Sequence, residues 1–328
     1  MRASLVLGAA AICLLVAIVG SISAGAAEID PFTIWQAMVQ FDSTQPNHLV
    51  IQEFRLPRVL ASAAVGACLG VAGAVMQGMT RNPLASPSLM GLNAGAGFML
   101  VIGMVLLPWL DFTGLIVLSF LGAGLGAALV FGLGALQRGG LTPVRLALAG
   151  AAVSALLGAL TTGIVIVTGI AQDVLFYTAG GVQGIRWPHL LLALPWMGAG
   201  LVLALLLSRG ISLLSLGQDV ATGLGQRTGL VRAGGILATL FLAGSAVAVA
   251  GGVGFVGLII PHFSRFLVGL DYRWIIPCSA VGGACLLVVA DLLARMVNPP
   301  FETPLGLITA LIGVPFFLWL VRRDERGM

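Results

Sequence analysis

Few residues in this chain have the type and spacing to do chemistry, and most of those fail on their surroundings. Gly252-Val253-Gly254-Phe255-Val256-Gly257 fits the dinucleotide pattern G-x-G-x-x-G. That pattern needs a soluble strand before it, a helix after it and an acid about 20 residues later. Here apolar segments flank it and Asp271 comes too soon, so a glycine-rich break between two helices accounts for it. His48, His189 and His262 stand far apart with no shared acid or thiol, and neither HExxH nor G-x-S-x-G occurs. The chain contains no lysine, so it cannot itself be a standard P-loop ATPase, whose phosphate loop requires one. Cys13, Cys68, Cys278 and Cys285 lie in apolar runs without C-x-x-C spacing, which suits small buried hydrophobes. What remains is a set of arginines. Asp291 and Arg295 are four apart and could pair on one helix face. Arg55, Arg58 and Arg295 carry guanidinium forks of the kind that grip carboxylates bidentately.

The elements that must position these groups are membrane helices. Charged side chains are absent between Arg2 and Glu28, Arg58 and Arg81, Arg81 and Asp111, and Asp111 and Arg138. The same holds from Arg145 to Asp173, Arg186 to Arg209, Arg232 to Arg265, Arg273 to Asp291 and Glu302 to Arg322. A hydrocarbon core of roughly 30 Å takes about 20 apolar residues in a helix, and backbone polar groups in lipid must be satisfied internally. Hydrophobic residues make up 59% of the 328 positions and charged ones 9%, so residues 1–328 read as one all-α, polytopic transmembrane domain. Helices are expected over 4–25, 57–79, 92–109, 113–136, 144–169, 189–208, 231–250, 255–269, 275–295 and 304–321. No polar run is long enough for a separate soluble domain, so an ATPase or a ligand-binding domain would be another polypeptide.

Arginine placement orients these helices. With the N-terminus inside, one face collects Arg2, Arg81, Arg138, Arg145, Arg209, Arg227, Arg232, Arg265, Arg273, Arg322, Arg323 and Arg326. The other holds Arg55, Arg58, Arg186 and Arg295. Twelve against four is a positive-inside bias that puts both termini in the cytoplasm. The arginines are scattered over helix ends rather than gathered in a stripe, which argues against nucleic acid as a partner. Arg2, the apolar stretch after it and Ala24-Gly25-Ala26 also resemble a secretory signal with its cleavage site; the alternative is a retained first helix, which the charge asymmetry favours. Val71-Ala72-Gly73-Ala74-Val75 and Val249-Ala250-Gly251-Gly252-Val253 match at four of five positions, with Pro83 and Pro261 at the same offset. This is either chance or a faint inverted repeat of the kind many transporters contain. Small residues at Gly66-Ala67-Cys68-Leu69-Gly70 and Gly122-Ala123-Gly124-Leu125-Gly126 allow close helix approach.

Three connections contain more than linkers require. An external loop over about 26–56 ends in Arg55-Leu56-Pro57-Arg58. An inner loop, Thr80 to Pro87, carries two prolines. A longer inner stretch, about 213–229, can form a short amphipathic helix from Gln218 to Leu224, read either as a docking helix or as a solvated loop. Asp291 is the one acid placed to serve an ion relay, and its position near the outer end argues against an ion-coupled secondary transporter.

Taken together, these segments resemble the permease subunits of bacterial ABC importers for iron chelates, haem and vitamin B12, the FecCD-type family. The most specific parts run from Arg55 to Gly97, beginning RLPR, and from Gly251 to Gly269, GGVGFVGLIIPHFSRFLVG. DLLAR, Asp291 to Arg295, and TPLGLITALIGVPFFLWLVRR, Thr303 to Arg323, agree as well. The resemblance implies ten helices per subunit in the bacterial inner membrane. It also implies a second permease subunit (a homodimer or a paralogue), two cytoplasmic ATPases that use ATP and Mg, and an external substrate-binding protein. It leaves this chain without a catalytic site, bound metal or cofactor of its own. Arg55, Arg58 and Arg295 map onto arginines that receive glutamates of the binding protein. Gly217, Gln218, Asp219, Ala221, Leu224 and Gly225 map onto the ATPase-coupling helix. Asn82 and Leu84 map onto the inner gate, and Thr142 onto a second gate position, where Pro143 departs from the small polar residue of some relatives. Ferric siderophores are the first expectation for the substrate, with haem and cobalamin as alternatives.

Overall fold

The computed structural model describes residues 2–24, 29–135, 143–170, 174, 179–299 and 301–325, and among them it is all-helical, with no strand. The helices are α1 (Arg2–Ser23), α2 (Pro31–Val39), α3 (Pro46–Val50), α4 (Leu56–Thr80), α5 (Leu92–Leu106), α6 (Phe112–Ala135) and α7 (Pro143–Thr168). They continue with α8 (Trp187–Leu216), α9 (Gln218–Gly223), α10 (Thr228–Ala250), α11 (Val256–Val268), α12 (Tyr272–Met296) and α13 (Leu305–Glu325). Seven helical segments among the described residues are long and apolar enough to cross a membrane, and shorter apolar helices at Leu92–Leu106, Val256–Val268 and Leu305–Leu320 accompany them.

Several boundaries differ from expectation for local reasons. The external segment is not a plain loop: it holds α2 and α3, and a π-helical turn, Ile51–Arg55, runs straight into α4. Pro31 and Pro46 fall in the first turns of α2 and α3, where a missing N–H costs nothing. The inner stretch shrinks at both ends. Leu213, Leu214 and Leu216 continue α8 until Gly217 turns out at φ 137°, and α10 has begun by Thr228. The expected dinucleotide-like segment is indeed a break between helices, carrying Gly251 at φ 63° and Phe255 at φ 66°. The two matching pentapeptides sit differently: the first lies inside α4, whereas the second covers only the end of α10 and then this break. Pro83 likewise lies in a loop and Pro261 inside α11.

The core is organised around α4, which is buried along most of its length. Its glycines line the contact. A Cβ on Gly66 would overlap the Gly283 carbonyl of α12, one on Gly70 the Ser279 carbonyl, and one on Gly73 the Gly257 carbonyl of α11. Lipid offers no hydrophobic drive for helix association, so backbone-to-backbone approach through small residues supplies the packing. Gly122 and Gly126 of the second small-residue run meet α5 in the same way, against Gly95 and Gly91. Gln77 adds a polar tie, donating to the Gly257 carbonyl at 3.2 Å. By contrast α1 is an edge helix with Leu5, Ile12, Leu15 and Val16 exposed, although its outer end packs on α12 and α4 through Ile22, Val59 and Val288.

Candidate functional site

The described residues singled out in the sequence fall into two groups, one at each end of the bundle. The outer group is built on the first turn of α4 and the last turns of α12 and α1. Pro57 opens α4 and aims Arg58 across at α12. The Arg58 guanidinium is shared: Nε and Nη2 donate to Asp291 at 2.9–3.2 Å, and Nη1 and Nη2 donate to Glu302 at 2.6 and 3.2 Å. Asp291, with 2% of its side chain exposed, also has Arg295 Nε at 3.4 Å. The i, i+4 pair therefore exists, but Arg58, 233 positions away in the chain, is the closer partner, which spacing within one helix does not reveal.

The remaining donors cap a helix. Arg295 donates to the carbonyls of Ala24 at 3.1 Å and Ser21 at 2.9 Å, and to the Ser21 hydroxyl at 2.6 Å. Arg55 donates to the carbonyls of Ile22 and Ser23. Four terminal carbonyls of α1, which no intrahelical N–H can satisfy, thus meet two cations at the negative end of the helix dipole. This makes α1 an integral part of the outer site. Of its signal-like Ala24-Gly25-Ala26 ending, Gly25 and Ala26 lie outside the described residues. Arg186, the fourth arginine assigned outside, stacks 5.2 Å over Phe54, and the neighbouring Trp187 donates to the Gln52 carbonyl at 2.8 Å. All four outer arginines thus share one end of the bundle.

Three arginines and two carboxylates leave the outer cluster with a surplus of one positive charge. It borders a cavity of about 420 Å³ lined by Ala179, Gly180, Gln183, Phe301, Glu302 and Pro304. Glu302 was not singled out in the sequence, where it is simply the acid that ends an apolar run; only the fold brings it to Arg58.

The inner group centres on α9. Ala221 is fully buried and turned toward the bundle, while Val220 and Leu224 are exposed, as are Gln218, Asp219 and Gly225. The segment is pinned from both sides: Arg232 donates to Gln218 at 2.9 Å and Gln226 to the Gly210 carbonyl at 2.8 Å. Gly217 and Gly225, at φ 137° and 77°, supply backbone conformations that other residues adopt with strain. Nearby, Asp271 caps α12 and bonds Arg273, while Ser212 of α8 donates to Asp271 at 3.3 Å and accepts from the Tyr272 N–H at 2.9 Å. The hydrogen bond from Arg273 holds the Asp271 carboxyl below the usual carboxylate range.

The proline loop leaves α4 through Arg81, left-handed at φ 52°. Asn82 folds it back by accepting from the Leu84 N–H at 2.9 Å, and both residues are half-buried. Thr142 lies outside the described residues. The histidines keep to separate local contacts: His48 accepts from the Asp42 N–H, His189 from the Arg186 N–H, and His262 packs on Phe316.

The family model described as the FecCD transport family matches residues 13–323. The chain is 54% identical over 308 residues to the iron(3+)-hydroxamate import system permease protein of Bacillus subtilis (strain 168), covering 94% of this chain and 80% of that protein. It is 37% identical over 330 residues to the hemin transport system permease protein of Yersinia pestis, covering 98% and 96%. Among solved structures, one described as an inward-facing conformation of a metal-chelate type ABC transporter superposes with a TM-score of 0.85 at 30% identity, covering 97% of this chain and 98% of that one.

Proposed function

The chain belongs to the FecCD transport family, and from that premise we propose that it is the membrane permease subunit of a binding-protein-dependent ABC importer of ferric siderophores. It would reside in the bacterial inner membrane with both termini in the cytoplasm. The observation that carries this reading is the 54% identity to an iron(3+)-hydroxamate permease over nearly the whole chain, which also puts hydroxamate chelates first among substrates. Iron is cargo in this scheme, bound by its chelator, and the permease holds no metal or cofactor and performs no covalent chemistry.

In this reading the outer arginines receive carboxylates of an external binding protein. The surplus positive charge is local to this cluster and attracts acidic groups there, while Asp291 and Glu302 hold Arg58 and Arg295, and the α1 carbonyls hold Arg55, in place before the partner arrives. Complementary charge speeds encounter and fixes register. At the inner end Val220 and Leu224 supply apolar contact and Asp219 a charge for a cytoplasmic ATPase, one of two that hydrolyse ATP with Mg. Buried Ala221 transmits the load to α8 and α10. Asn82 and Leu84 stand at the inner mouth of a path shared with a second permease subunit, identical or paralogous. Asp291, committed to two arginines, is poorly suited to carry a coupling proton, which disfavours a secondary transporter.

The test is uptake of labelled ferric hydroxamate, haem and cobalamin by a strain deleted for this chain and complemented with it. Restoration of ferric hydroxamate uptake alone is the expected result. Restoration of haem or cobalamin uptake in its place would reassign the substrate, and uptake that persists without ATP would remove the importer reading.

A further inference from the structure

The external segment contains a surface that none of these roles uses. Helix α2 has the sequence PFTIWQAMV, without a charged residue. One side is fixed to the bundle: Ile34 and Ala37 are buried beside Ile22, Ile51, Val59 and Val288, at the outer ends of α1, α4 and α12. Gln52 donates to the Ala37 carbonyl at 2.9 Å, tying the end of α2 to the turn that carries Arg55. The other side faces out, with Phe32 64%, Trp35 65% and Val39 59% exposed at i, i+3 and i+7, and Met38 and Phe41 beside them. In a water-soluble protein so compact an apolar face would be a liability.

We propose that α2 is an interfacial helix whose Phe32–Trp35–Val39 face lies in the boundary between headgroups and acyl chains of the outer leaflet. Three observations select a lipid surface as the occupant. Helix α2 packs on α1, whose exposed Leu5, Ile12, Leu15, Val16 and Val19 the bilayer must cover. Trp35 is of a type enriched at membrane interfaces, where its ring sits at headgroup level, and Phe32 is of a type common on the apolar face of interfacial helices. The helix has no charged residue of its own, with Asp30 at its N-cap and Asp42 beyond its end, and it lies where the spanning helices end. Most interfacial helices carry Lys or Arg on the polar side and favour anionic lipids. Because α2 carries neither, and the charges flanking it, Asp30 and Asp42, are acidic, its insertion is apolar in origin and needs no anionic lipid. The bond from Gln52 then makes α2 a float that sets how far Arg55 stands above the bilayer.

The test uses the assembled transporter in nanodiscs of zwitterionic phosphatidylcholine. Subtracting the tryptophan emission of Trp35→Phe from that of the wild type isolates one exposed indole while leaving the others in place. Lipid brominated in the upper acyl chain is expected to remove most of this difference signal. Aqueous iodide is expected to leave it nearly unchanged, as are high salt, anionic lipid and added binding protein. Strong iodide quenching without bromine quenching would show a water-exposed face and overturn the proposal. A signal that neither agent reaches in the assembled complex would assign the face to a second subunit, and one that iodide reaches until the binding protein is added would assign it to that protein; both results overturn it. A phospholipid with a photoreactive group near the headgroup gives an independent readout on the unsubstituted chain. The α2 peptide is expected to carry the lipid adduct, and its absence from an otherwise labelled protein counts against the proposal equally.

Discussion

Asp291→Asn separates the structural from the docking role of the outer arginines, because the two roles predict opposite changes. The substitution keeps the side-chain shape and removes the charge on which Arg58 and Arg295 converge. Breaking a buried ion pair by deleting one partner costs about 3–5 kcal/mol. Arg58 retains Glu302 and is 15% exposed, so partial solvation reduces the expected loss to about 2 kcal/mol. The assay is unfolding of the purified chain by SDS in mixed micelles, run as a double-mutant cycle with Arg58→Gln. The two losses should overlap, the double variant falling short of their sum by about 1 kcal/mol, whereas additivity within about 0.5 kcal/mol would mean that the pair does not couple. The effect on the binding protein runs the other way. The cluster's net charge rises from three minus two, or +1, to +2. One more unit charge about 6 Å from an incoming carboxylate, in a water-like dielectric, contributes about 0.7 kcal/mol, or roughly threefold in affinity at low salt. Asp291→Asn should therefore weaken the fold while tightening the complex, the gain fading as salt rises. Affinity that falls in parallel with stability would refute the idea that these arginines meet the partner directly, and would leave them as caps and clamps of α1 and α12.

The other predictions concern the inner end and the core. Asp219→Arg should uncouple ATP hydrolysis from uptake while leaving the folded chain intact, since Asp219 is exposed; Ala221→Trp, at a fully buried position, should lower coupling and also destabilise the chain by about 1–3 kcal/mol through overpacking. Gly73→Val should reduce the yield of folded protein far more than Gly97→Val, because a Cβ at Gly73 meets the Gly257 carbonyl and one at Gly97 meets nothing within 4 Å; detergent-stable protein measured by fluorescence-detected size exclusion makes the comparison. The Asp271 carboxyl is held low by Arg273, so its contribution is fully present above the unfolded-state value and is lost as pH falls through the lowered folded-state value. Asp271→Asn should flatten that acid limb of the stability profile, and a profile identical to wild type would show that the cap carries no weight.

What was legible in the sequence follows from how membranes constrain chains. Charge-free intervals marked the spanning helices to within a few residues, since a charge in mid-bilayer is costly and helix ends collect what the core excludes. The glycine pairs were legible as packing sites, though their partners were not, because a small residue announces close approach without naming the opposing helix. The one large boundary error fell at Leu213–Leu216, where an apolar run reaches the cytoplasmic end and no polar residue signals that α8 continues. The external segment misled for a related reason: its prolines and polar residues read as a loop, while Asp30 and Pro31 were in fact starting α2. The partner choice of Asp291 was the least accessible feature. Arg295 and Arg58 are equally plausible on charge, and only the close α4–α12 contact at Gly66 and Gly283 decides which guanidinium comes nearer.

That same contact bears on how the two ends of the protein are joined. Helix α4 carries Arg58 at its outer end and passes into Arg81 and Asn82 at its inner end. Helix α12 runs antiparallel to it, with Asp271 at the inner end and Asp291 and Arg295 at the outer. Between these ends the helices touch through backbone at Gly66 and Gly283 and at Gly70 and Ser279, with no long side chains to absorb a displacement by changing rotamer. Interiors packed in this way transmit strain rather than dissipate it. In the docking reading, a load on the outer arginines would reach the inner loop and the Ser212–Asp271 tie as movement of a helix pair rather than as repacking of individual side chains. The break at Gly251–Phe255 interrupts the helical path just before Gly257 meets Gly73 of α4. Phe255 holds a left-handed backbone that non-glycine residues occupy at a cost of about 1–3 kcal/mol, and its ring fills the space a side chain at Gly313 of α13 would need. A left-handed, strained turn thus stands at the junction of α10 and α11, beside the closely packed α4–α12 pair.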